Sequence, residues 1–513
     1  MGTGHQIAFF VRELSQATDP KRRAAAAKGL GRLGGPEHAA PLTEAARDPD
    51  PAVRTAAAIG LGRLGAPGTD HVLITLTTDD APQVRRQATR AVNRLALTGP
   101  QVVEAFARLL TDEEWHVRLN AVTGLRRLGV PGDADALLRL LDDPHPQVRG
   151  HAHALVSALM PDDDTVSAAV LRTAWHGPDR ARAAALRMLP APPTAEARRC
   201  LLTGLRSRSP DVRLAAVCAL HHDPASQTTD ALVTALEAER APQVAQALLS
   251  VLGRRGEHRL APTAVRWLDH PDVAAWAMHA LADIDAPGAV ERIRSALTRW
   301  RNVPSVRAAA ARTLARLGDR HAAATLAALA HDPDLTVRYG AMDGMALLGD
   351  RRRPRRERRM ITEVLLDRLT GDPALVWFAR NALAHYPEAL PRLRRLTATT
   401  TSHQVRAAAL SLLEPHDVDY FLAHLNDPVP AVRHQALYGL LRCVRTHGDL
   451  PPNARDGAVG VLTDLARDDD APHVREAART VLEALGAPPG RAAGNAADEP
   501  SGSRPDPGPS PGA

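Results

Sequence analysis

The chain has 513 residues, of which 44% are hydrophobic, 24% are charged and only 3% are aromatic. This composition is typical of a folded protein and excludes a wholly disordered chain. The formal net charge is +6, and no stretch of about 18 uninterrupted apolar residues is present, so we expect no membrane-spanning helix.

Cysteine is rare and scattered along the chain, at Cys200, Cys218 and Cys443. Three such residues give neither a disulfide framework nor the paired spacing of a metal site. This usage is typical of a reducing compartment. We therefore predict a cytoplasmic protein.

A segment of the form Asp-Pro-x-Val-Arg recurs from the N-terminal part of the chain to its C-terminal part. Clear copies are DPDPAVRTAAAIGLGRLG, which begins at Asp48, and DDAPHVREAARTVLEALG, which begins at Asp469. The mean spacing of the copies is about 32 residues, which is typical of a repeat protein. Their alignment defines fifteen anchor positions: Arg22, Val53, Val84, Val117, Val148, Ala181, Val212, Val244, Val273, Val306, Val337, Val376, Val405, Val432 and Val474.

Each anchor begins a pattern that predicts an α-helix. Small or apolar residues follow it with a helical period and form one stripe. In one copy, Asp50 and Pro51 are typical of a helix N-terminus, and Gly65 is typical of a left-handed C-cap. A shorter apolar segment between copies, such as residues 134–141, predicts a partner helix.

A helical pair with one apolar face cannot bury that face alone, so successive pairs are expected to stack. We predict an all-α fold, an α-solenoid (superhelix) of about fifteen stacked two-helix repeats, over residues 1–486. A basic insert is expected near 350–359 and a loop near 446–454. Residues 487–513 are rich in Pro, Gly, Ser and Ala without apolar periodicity, which predicts a disordered tail.

An arginine follows the anchor in most copies, within the first helical turn, where the helix dipole disfavours a cation. We therefore predict a structural ladder in which each arginine pairs with an aspartate of an inter-helix turn, in its own or the adjacent repeat. Candidate partners are Asp50, Asp80, Asp112 and Asp143, and the series is interrupted at Ala245, Ala274 and Trp377. The ladder residues are Arg54, Arg85, Arg118, Arg149, Arg213, Arg307, Arg338, Arg433 and Arg475.

A second arginine recurs ten residues after seven of the anchors. Near a helix C-terminus a cation complements the dipole, which is one explanation; a basic inner surface is the alternative. These residues are Arg32, Arg63, Arg94, Arg127, Arg254, Arg316 and Arg442.

The recurring pattern D-P-x-V-R-x-x-A-A-x-A-L-x-x-L-G resembles HEAT repeats, specifically the short repeats called PBS-lyase HEAT-like, over about residues 5–486. The resemblance implies a fold and not an activity, because one fold serves many functions. HEAT-like enzymes are known, among them bilin lyases and alkyl-purine DNA glycosylases. The di-iron deoxyhypusine hydroxylase uses His-Glu dipeptides as metal ligands. Here no histidine precedes a glutamate, and the nearest dipeptides are His222-Asp223, His331-Asp332 and His416-Asp417.

We accordingly predict a non-enzymatic scaffold that binds protein partners, with no catalytic residue, no cofactor and no metal. The candidate partner-binding region includes the adjacent aromatic residues Trp377 and Phe378. It also includes the arginines of the insert, which predict either a solvated loop or a docking site for an anionic partner. These are Arg351, Arg352, Arg353, Arg355, Arg356, Arg358 and Arg359. The alternatives are a HEAT-like enzyme or accessory, and a nucleic-acid-associated solenoid that uses the insert.

Overall fold

The computed structural model describes residues 3–160, 162–349 and 353–486, which contain thirty α-helices and no β-strand. The helices form two compact units, and the chain passes from one to the other between Ala286 and Pro287. Residues 487–513, for which we predict a tail, lie outside the described ranges.

The first unit contains nine helical pairs in its described residues. Three short 3-10 helices accompany them, at Pro36–His38, Leu140–Asp142 and His258–Leu260. Its α-helices are α1 (Thr3–Gln16), α2 (Pro20–Leu33), α3 (Ala39–Ala45), α4 (Pro51–Leu64), α5 (Asp70–Leu76), α6 (Pro82–Arg94), α7 (Pro100–Leu109), α8 (Trp115–Leu128), α9 (Ala134–Arg139), α10 (Pro146–Leu159), α11 (Asp164–His176), α12 (Asp179–Met188), α13 (Ala195–Gly204), α14 (Pro210–Ala219), α15 (Ser226–Ala238), α16 (Pro242–Arg254), α17 (Ala261–Trp267) and α18 (Pro271–Asp283).

The second unit contains six helical pairs in its described residues, with 3-10 helices at Pro373–Leu375 and Pro387–Ala389. Its α-helices are α19 (Ala289–Arg299), α20 (Pro304–Arg316), α21 (Ala322–Leu329), α22 (Leu335–Gly349), α23 (Arg355–Gly371), α24 (Val376–Leu383), α25 (Leu390–Thr399), α26 (His403–Leu412), α27 (Val418–Leu422), α28 (Pro430–His447), α29 (Pro452–Asp468) and α30 (Pro472–Ala484).

Every even-numbered helix carries one of the fifteen predicted anchors, and it packs against the odd-numbered helix that precedes it. Successive even helices pack side by side in three runs, from α2 to α10 and from α12 to α18 in the first unit and from α20 to α30 in the second. The anchor valines of the clear copies are completely buried. The predicted all-α solenoid of about fifteen two-helix repeats is confirmed.

Helix α4 shows why these sequences begin and end helices where they do. The side chain of Asp50 accepts a hydrogen bond from the Ala52 N–H at 2.7 Å, and Pro51 occupies the first helical position, which needs no N–H donor. Gly65 ends the helix with φ 57°, a left-handed conformation that glycine adopts without strain.

The two longest intervals between anchors are taken up mainly by helix. Helix α23 begins at Arg355, so the second half of the predicted basic insert forms helical turns and not a loop. Helix α28 extends to His447 and α29 begins at Pro452, which leaves only residues 448–451 between them. The predicted loop is shorter than expected because no helix-breaking residue precedes Gly448, whose φ is 83°.

Small residues allow the even helices to approach each other closely. A Cβ atom added at Gly31 of α2 would lie 2.4 Å from the Cα of Gly60 in α4. A Cβ atom added at Gly150 of α10 would have no atom within 4 Å. The first glycine is therefore required by packing, whereas the second is not.

We expect Gly31→Ala to lower the free energy of unfolding by about 1–3 kcal/mol, because the added methyl overpacks the contact between α2 and α4. The matched substitution Gly150→Ala should leave stability unchanged or raise it by up to about 1 kcal/mol, through helix propensity alone. Urea denaturation followed by circular dichroism measures both. Equal stability of the two variants would contradict the close approach.

Candidate functional site

The arginine after the anchor joins two consecutive inter-helix turns. Nε and Nη2 of Arg54 donate to the carboxylate of Asp79, in the turn of the following repeat, at 2.7 and 2.9 Å. Nη1 of the same guanidinium donates to the carbonyls of Asp48 and Pro49, in the preceding turn, at 3.0 Å each. The planar guanidinium of one arginine thus hydrogen-bonds to two consecutive turns and links neighbouring repeats.

The same arrangement recurs along both units. The carboxylate also accepts a backbone hydrogen bond within its own turn, as Asp79 does from the Ala81 N–H at 2.9 Å. Each acid is therefore fixed by its turn as well as by the arginine. Further pairs are Arg85–Asp112, Arg118–Asp143, Arg213–Glu239, Arg307–Asp332, Arg406–Asp427 and Arg433–Asp469, with Nε–O distances of 2.6–2.8 Å.

Three predicted ladder residues make a reduced set of contacts. Arg338 lies 3.3 Å from the Asp372 carboxylate and donates to the carbonyl of Asp332. Within the described residues, Arg149 and Arg475 contact only carbonyl oxygens of their own turns, including those of Asp143 and Asp469. Among the residues that the structure describes, Arg338 is thus linked weakly to the following turn, and Arg149 and Arg475 have no such link.

Sequence reasoning placed some ladder partners differently. Asp50 caps its own helix, and the partner of Arg54 lies in the following turn at Asp79, with Asp80 as a second contact at 2.6 Å. Arg23, which pairs with Asp48 at 2.7 Å, belongs to the same series. The signal for it was present, because Arg23 directly follows the weak anchor at Arg22.

A second row of ion pairs starts from odd helices and was not predicted. Arg198, Arg294 and Arg394, in α13, α19 and α25, contact acids in the loops that follow the next even helices. Their partners are Asp223, Asp319 and Asp417, and the first and third pairs have Nε–O distances of 2.7 Å. Each acid follows its arginine by 23 or 25 residues, a spacing that could have revealed them.

The ladder and the second row both engage aspartates that are candidate metal ligands. The aspartates of all three His-Asp dipeptides are engaged by arginines, since Asp223 and Asp417 belong to the second row and Asp332 to the ladder. Among the described residues, no group of three or more His, Cys, Asp or Glu side chains is arranged to hold a metal ion.

Two cysteines lie in the interior. Cys200 and Cys443 are buried, and burial raises the pKa of each thiol to about 11. Both thiols are therefore protonated at neutral pH and are poor nucleophiles.

None of the helices that the structure describes is both long and apolar enough to cross a bilayer.

Trp377 occupies the position after an anchor where other repeats carry the ladder arginine. Its side chain is 63% exposed. It lies at the edge of a cavity of about 590 Å³ bounded by α24, α26 and α28. Ala407, Ala408 and Ala431 contribute apolar surface to this cavity, and Arg380 contributes a guanidinium. We call this feature the Trp377 groove.

Phe378 has a different environment from its neighbour. Its ring stacks on that of Tyr339 in α22, with centroids 4.1 Å apart, and the residue is only partly exposed. Phe378 therefore packs between repeats, whereas the Trp377 ring contacts Phe378 edge-on, with centroids 4.9 Å apart, and is otherwise largely exposed.

The arginines of the insert divide into two sets. Arg353 pairs with Glu357 at 3.2 Å, and Arg358 pairs with Glu388 at 2.9 Å while its guanidinium lies over the Tyr386 ring. These two stabilise the repeat. Arg355, Arg356 and Arg359 are exposed, whereas Arg351 and Arg352 lie outside the described residues.

We expect Arg118→Ala to destabilise the first unit by about 3 kcal/mol, because it leaves the buried carboxylate of Asp143, 2% exposed, without its cation. Arg149→Ala, which removes only contacts to carbonyls, should cost less. Thermal unfolding measures both variants, and an unchanged melting temperature for Arg118→Ala would argue against the ladder.

Several ladder acids have lowered pKa values. Burial raises the pKa of Asp79, but hydrogen bonds from Arg54 and from the Ala81 N–H outweigh this and hold it below its usual range. The pKa values of Glu239 and Asp332 are lowered in the same way: burial raises them, and hydrogen bonds from an arginine and from backbone N–H groups outweigh it. A lowered folded pKa stabilises the protein fully above the unfolded value of about 4, and that stability is lost as pH falls through the folded value.

The melting temperature should therefore be constant near neutral pH with respect to these groups and should fall below about pH 4. In Arg54→Gln the acid-dependent fall should be shallower, because the pKa of Asp79 loses its main lowering contact. Differential scanning calorimetry across pH 3–7 measures this. Parallel curves for the two proteins would contradict the assignment.

Residues 7–93 and 70–156 match the family model for HEAT repeats. No curated protein matches the chain.

Solved structures share its fold. The chain is similar to Kap95p in a structure of its binding to RanGDP, with a TM-score of 0.60 and 12% identity over 94% of this chain and 82% of that one. It is also similar to importin beta (TM-score 0.51, 14% identity, 94% and 88% coverage) and to yeast importin-beta, Kap95p (0.50, 14%, 94% and 83%). At these identities the likeness shows the fold alone. Residues 7–156 therefore carry HEAT repeats, and the nine and six helical pairs of the two units share the same two-helix architecture.

Proposed function

We propose that this protein is a non-enzymatic, cytoplasmic scaffold that binds a protein partner at the Trp377 groove. The single observation that carries the proposal is the exposed indole of Trp377 at a position where the fold elsewhere places a structural arginine. The indole adjoins the apolar wall of the groove, and a partner that covers both surfaces would gain the free energy of removing them from water.

The composition of the groove supports a protein as the occupant. Trp and Arg are enriched at the centres of protein interfaces, and Trp377 and Arg380 lie together here. Nε of Arg380 donates to the Ser411 hydroxyl at 2.8 Å and Nη1 to the Asn381 side chain at 3.0 Å, so its guanidinium is held in place before binding. Preorganisation of this kind lowers the entropic cost of association.

The structural neighbours support the same class of function. Kap95p binds RanGDP in one related structure and forms a complex with Nup1 in another, which has a TM-score of 0.50 and 12% identity. These proteins show that stacked HEAT repeats offer surfaces to protein partners. We extend only this general use of the fold, protein binding, to the present chain. The particular partners of Kap95p are not part of the proposal.

The non-enzymatic part of the proposal has support of its own. The buried thiols have raised pKa values, and the His-Asp aspartates are held in ion pairs that fasten repeats. These groups therefore serve the packing of the solenoid. The cytoplasmic location is supported by the three free cysteines, which suit a reducing environment.

We expect Trp377→Ser to weaken binding of the partner by about tenfold or more, because an interface Trp commonly contributes at least 1–2 kcal/mol. The partner is first identified by affinity capture with the purified full chain and then titrated as a purified protein. Trp276→Ser is the matched control, since Trp276 is 44% exposed but lies in α18 of the other unit.

The control should retain wild-type affinity and both variants should melt as the wild type does. If Trp377→Ser binds every captured protein as tightly as the wild type, the groove is not the binding site.

A further inference from the structure

The even helices at the start of the first unit carry positive charge without negative charge. Helices α2, α4, α6, α8 and α10 contain no Asp or Glu, and each contains Lys or Arg. The ladder occupies only the arginine in the first turn of each helix. The remaining basic residues have no counter-charge within these helices, although Arg22 pairs with Glu13 of α1 at 2.8 Å.

The arginines ten residues after the anchors occupy equivalent positions on these helices and form a row. Arg32, Arg63, Arg94 and Arg127 belong to four successive even helices, and all four are exposed. Arg127 also donates through Nη2 to the Leu97 carbonyl at 2.7 Å, and arginines at corresponding positions elsewhere make similar contacts. Arg254 donates to the Ser250 carbonyl at 3.1 Å, and Arg442 donates to the Leu413 carbonyl at 2.7 Å.

A cavity of about 550 Å³ lies in the middle of the row, between α4, α6 and α8. Its lining includes the guanidinium groups of Arg63, Arg90 and Arg94. In the part of the chain that the structure describes, none of the three lies within ion-pair distance of a carboxylate. Arg90 and Arg94 are one helical turn apart, a placement of like charges that destabilises α6.

Amide side chains share the cavity wall with the arginines, at Gln87, Asn93 and Asn120. Nδ2 of Asn93 donates to the Asn120 carbonyl at 2.8 Å, whereas its buried Oδ1 has no hydrogen-bond partner. Amides offer acceptors as well as donors, which suit the N–H and C=O groups of a peptide main chain.

We propose that this arginine face, comprising Arg32, Arg63, Arg90, Arg94 and Arg127, binds an acidic, extended segment of a protein. Packed helices lie about 8–10 Å apart, which is the rise of about three residues of extended chain. An acidic residue at every third position therefore matches one arginine on each successive helix. Four helices accommodate a segment of about ten residues.

The observations favour a peptide over a single-stranded nucleic acid. Proteins that hold single strands stack bases on aromatic rings, and α2, α4 and α6 contain no Phe, Tyr or Trp. Trp115 of α8 already stacks between the rings of His116 and His145, at 3.6 and 3.5 Å. A phosphate backbone also lacks an N–H donor for Oδ1 of Asn93.

The test is fluorescence anisotropy with the purified full chain and a labelled peptide of about four Glu-Gly-Ser repeats, a length that spans the row. The wild type should bind it with an affinity that falls as salt rises, and the matching Gln-Gly-Ser peptide should not bind. The triple variant Arg63→Gln, Arg90→Gln, Arg94→Gln should lose about tenfold or more in affinity.

The matched control removes three exposed arginines from the odd-helix side of the same unit: Arg47→Gln, Arg108→Gln, Arg139→Gln. It should bind as the wild type does, and Trp377→Ser should also bind normally, since the two proposed sites are independent. Equal losses in both triple variants would reduce the effect to net charge and overturn the proposal. Tighter binding of a thymidine oligonucleotide or a DNA duplex, not displaced by the Glu peptide, would overturn it in favour of nucleic acid.

Discussion

A single guanidinium group, shared between two consecutive turns, is the interaction on which this structure depends most. Alanine-rich helices have little apolar surface with which to set their own register. The arginine supplies that register, because its donors reach two carbonyls of one turn and both carboxylate oxygens of the next, as in Arg85 with Asp79, Asp80 and Asp112. The geometry of each turn therefore sets the position of the following helix.

The Trp377 groove lies where the arginine ladder is interrupted. At α24 the arginine is replaced by Trp377, and the turn that would supply the matching acid consists of Thr400, Thr401 and Ser402. Both members of the pair are thus missing together. Arg406 still donates to the Thr400 carbonyl at 3.0 Å, so the turn keeps half of its usual contacts while α24 presents an exposed ring.

The helical repeats could be predicted from the sequence because one physical constraint, burial of an apolar stripe, is copied at each anchor. Val53 and Val474 show it equally at the two ends of the repeat series. The direction of the ladder could not be predicted, because Asp50 is closer to Arg54 in sequence than Asp79 is, and only the stacking of repeats brings the more distant acid near. The arginines of the second row, such as Arg198, lack a surrounding motif, so only their spacing of 23 or 25 residues from the partner acids marks them in the sequence.

Charge in the sequence was also a poor guide to which arginines are free. The insert attracts notice as a dense run, yet Arg353 and Arg358 are bound to acids of the fold. Arg63 and Arg94 are dispersed by the repeat spacing and are not conspicuous in the linear sequence. Stacking brings their helices side by side, so Arg63 and Arg94 line one cavity together with Arg90.

The central claim is that the ladder couples adjacent repeats energetically, and a double-mutant cycle on Arg307 and Asp332 tests it most directly. The two residues are joined at 2.7 and 2.9 Å. Free energies of unfolding are measured for the wild type, Arg307→Gln, Asp332→Asn and the double variant. The account predicts a coupling energy of about 1–3 kcal/mol, whereas effects that add within about 0.5 kcal/mol would contradict it.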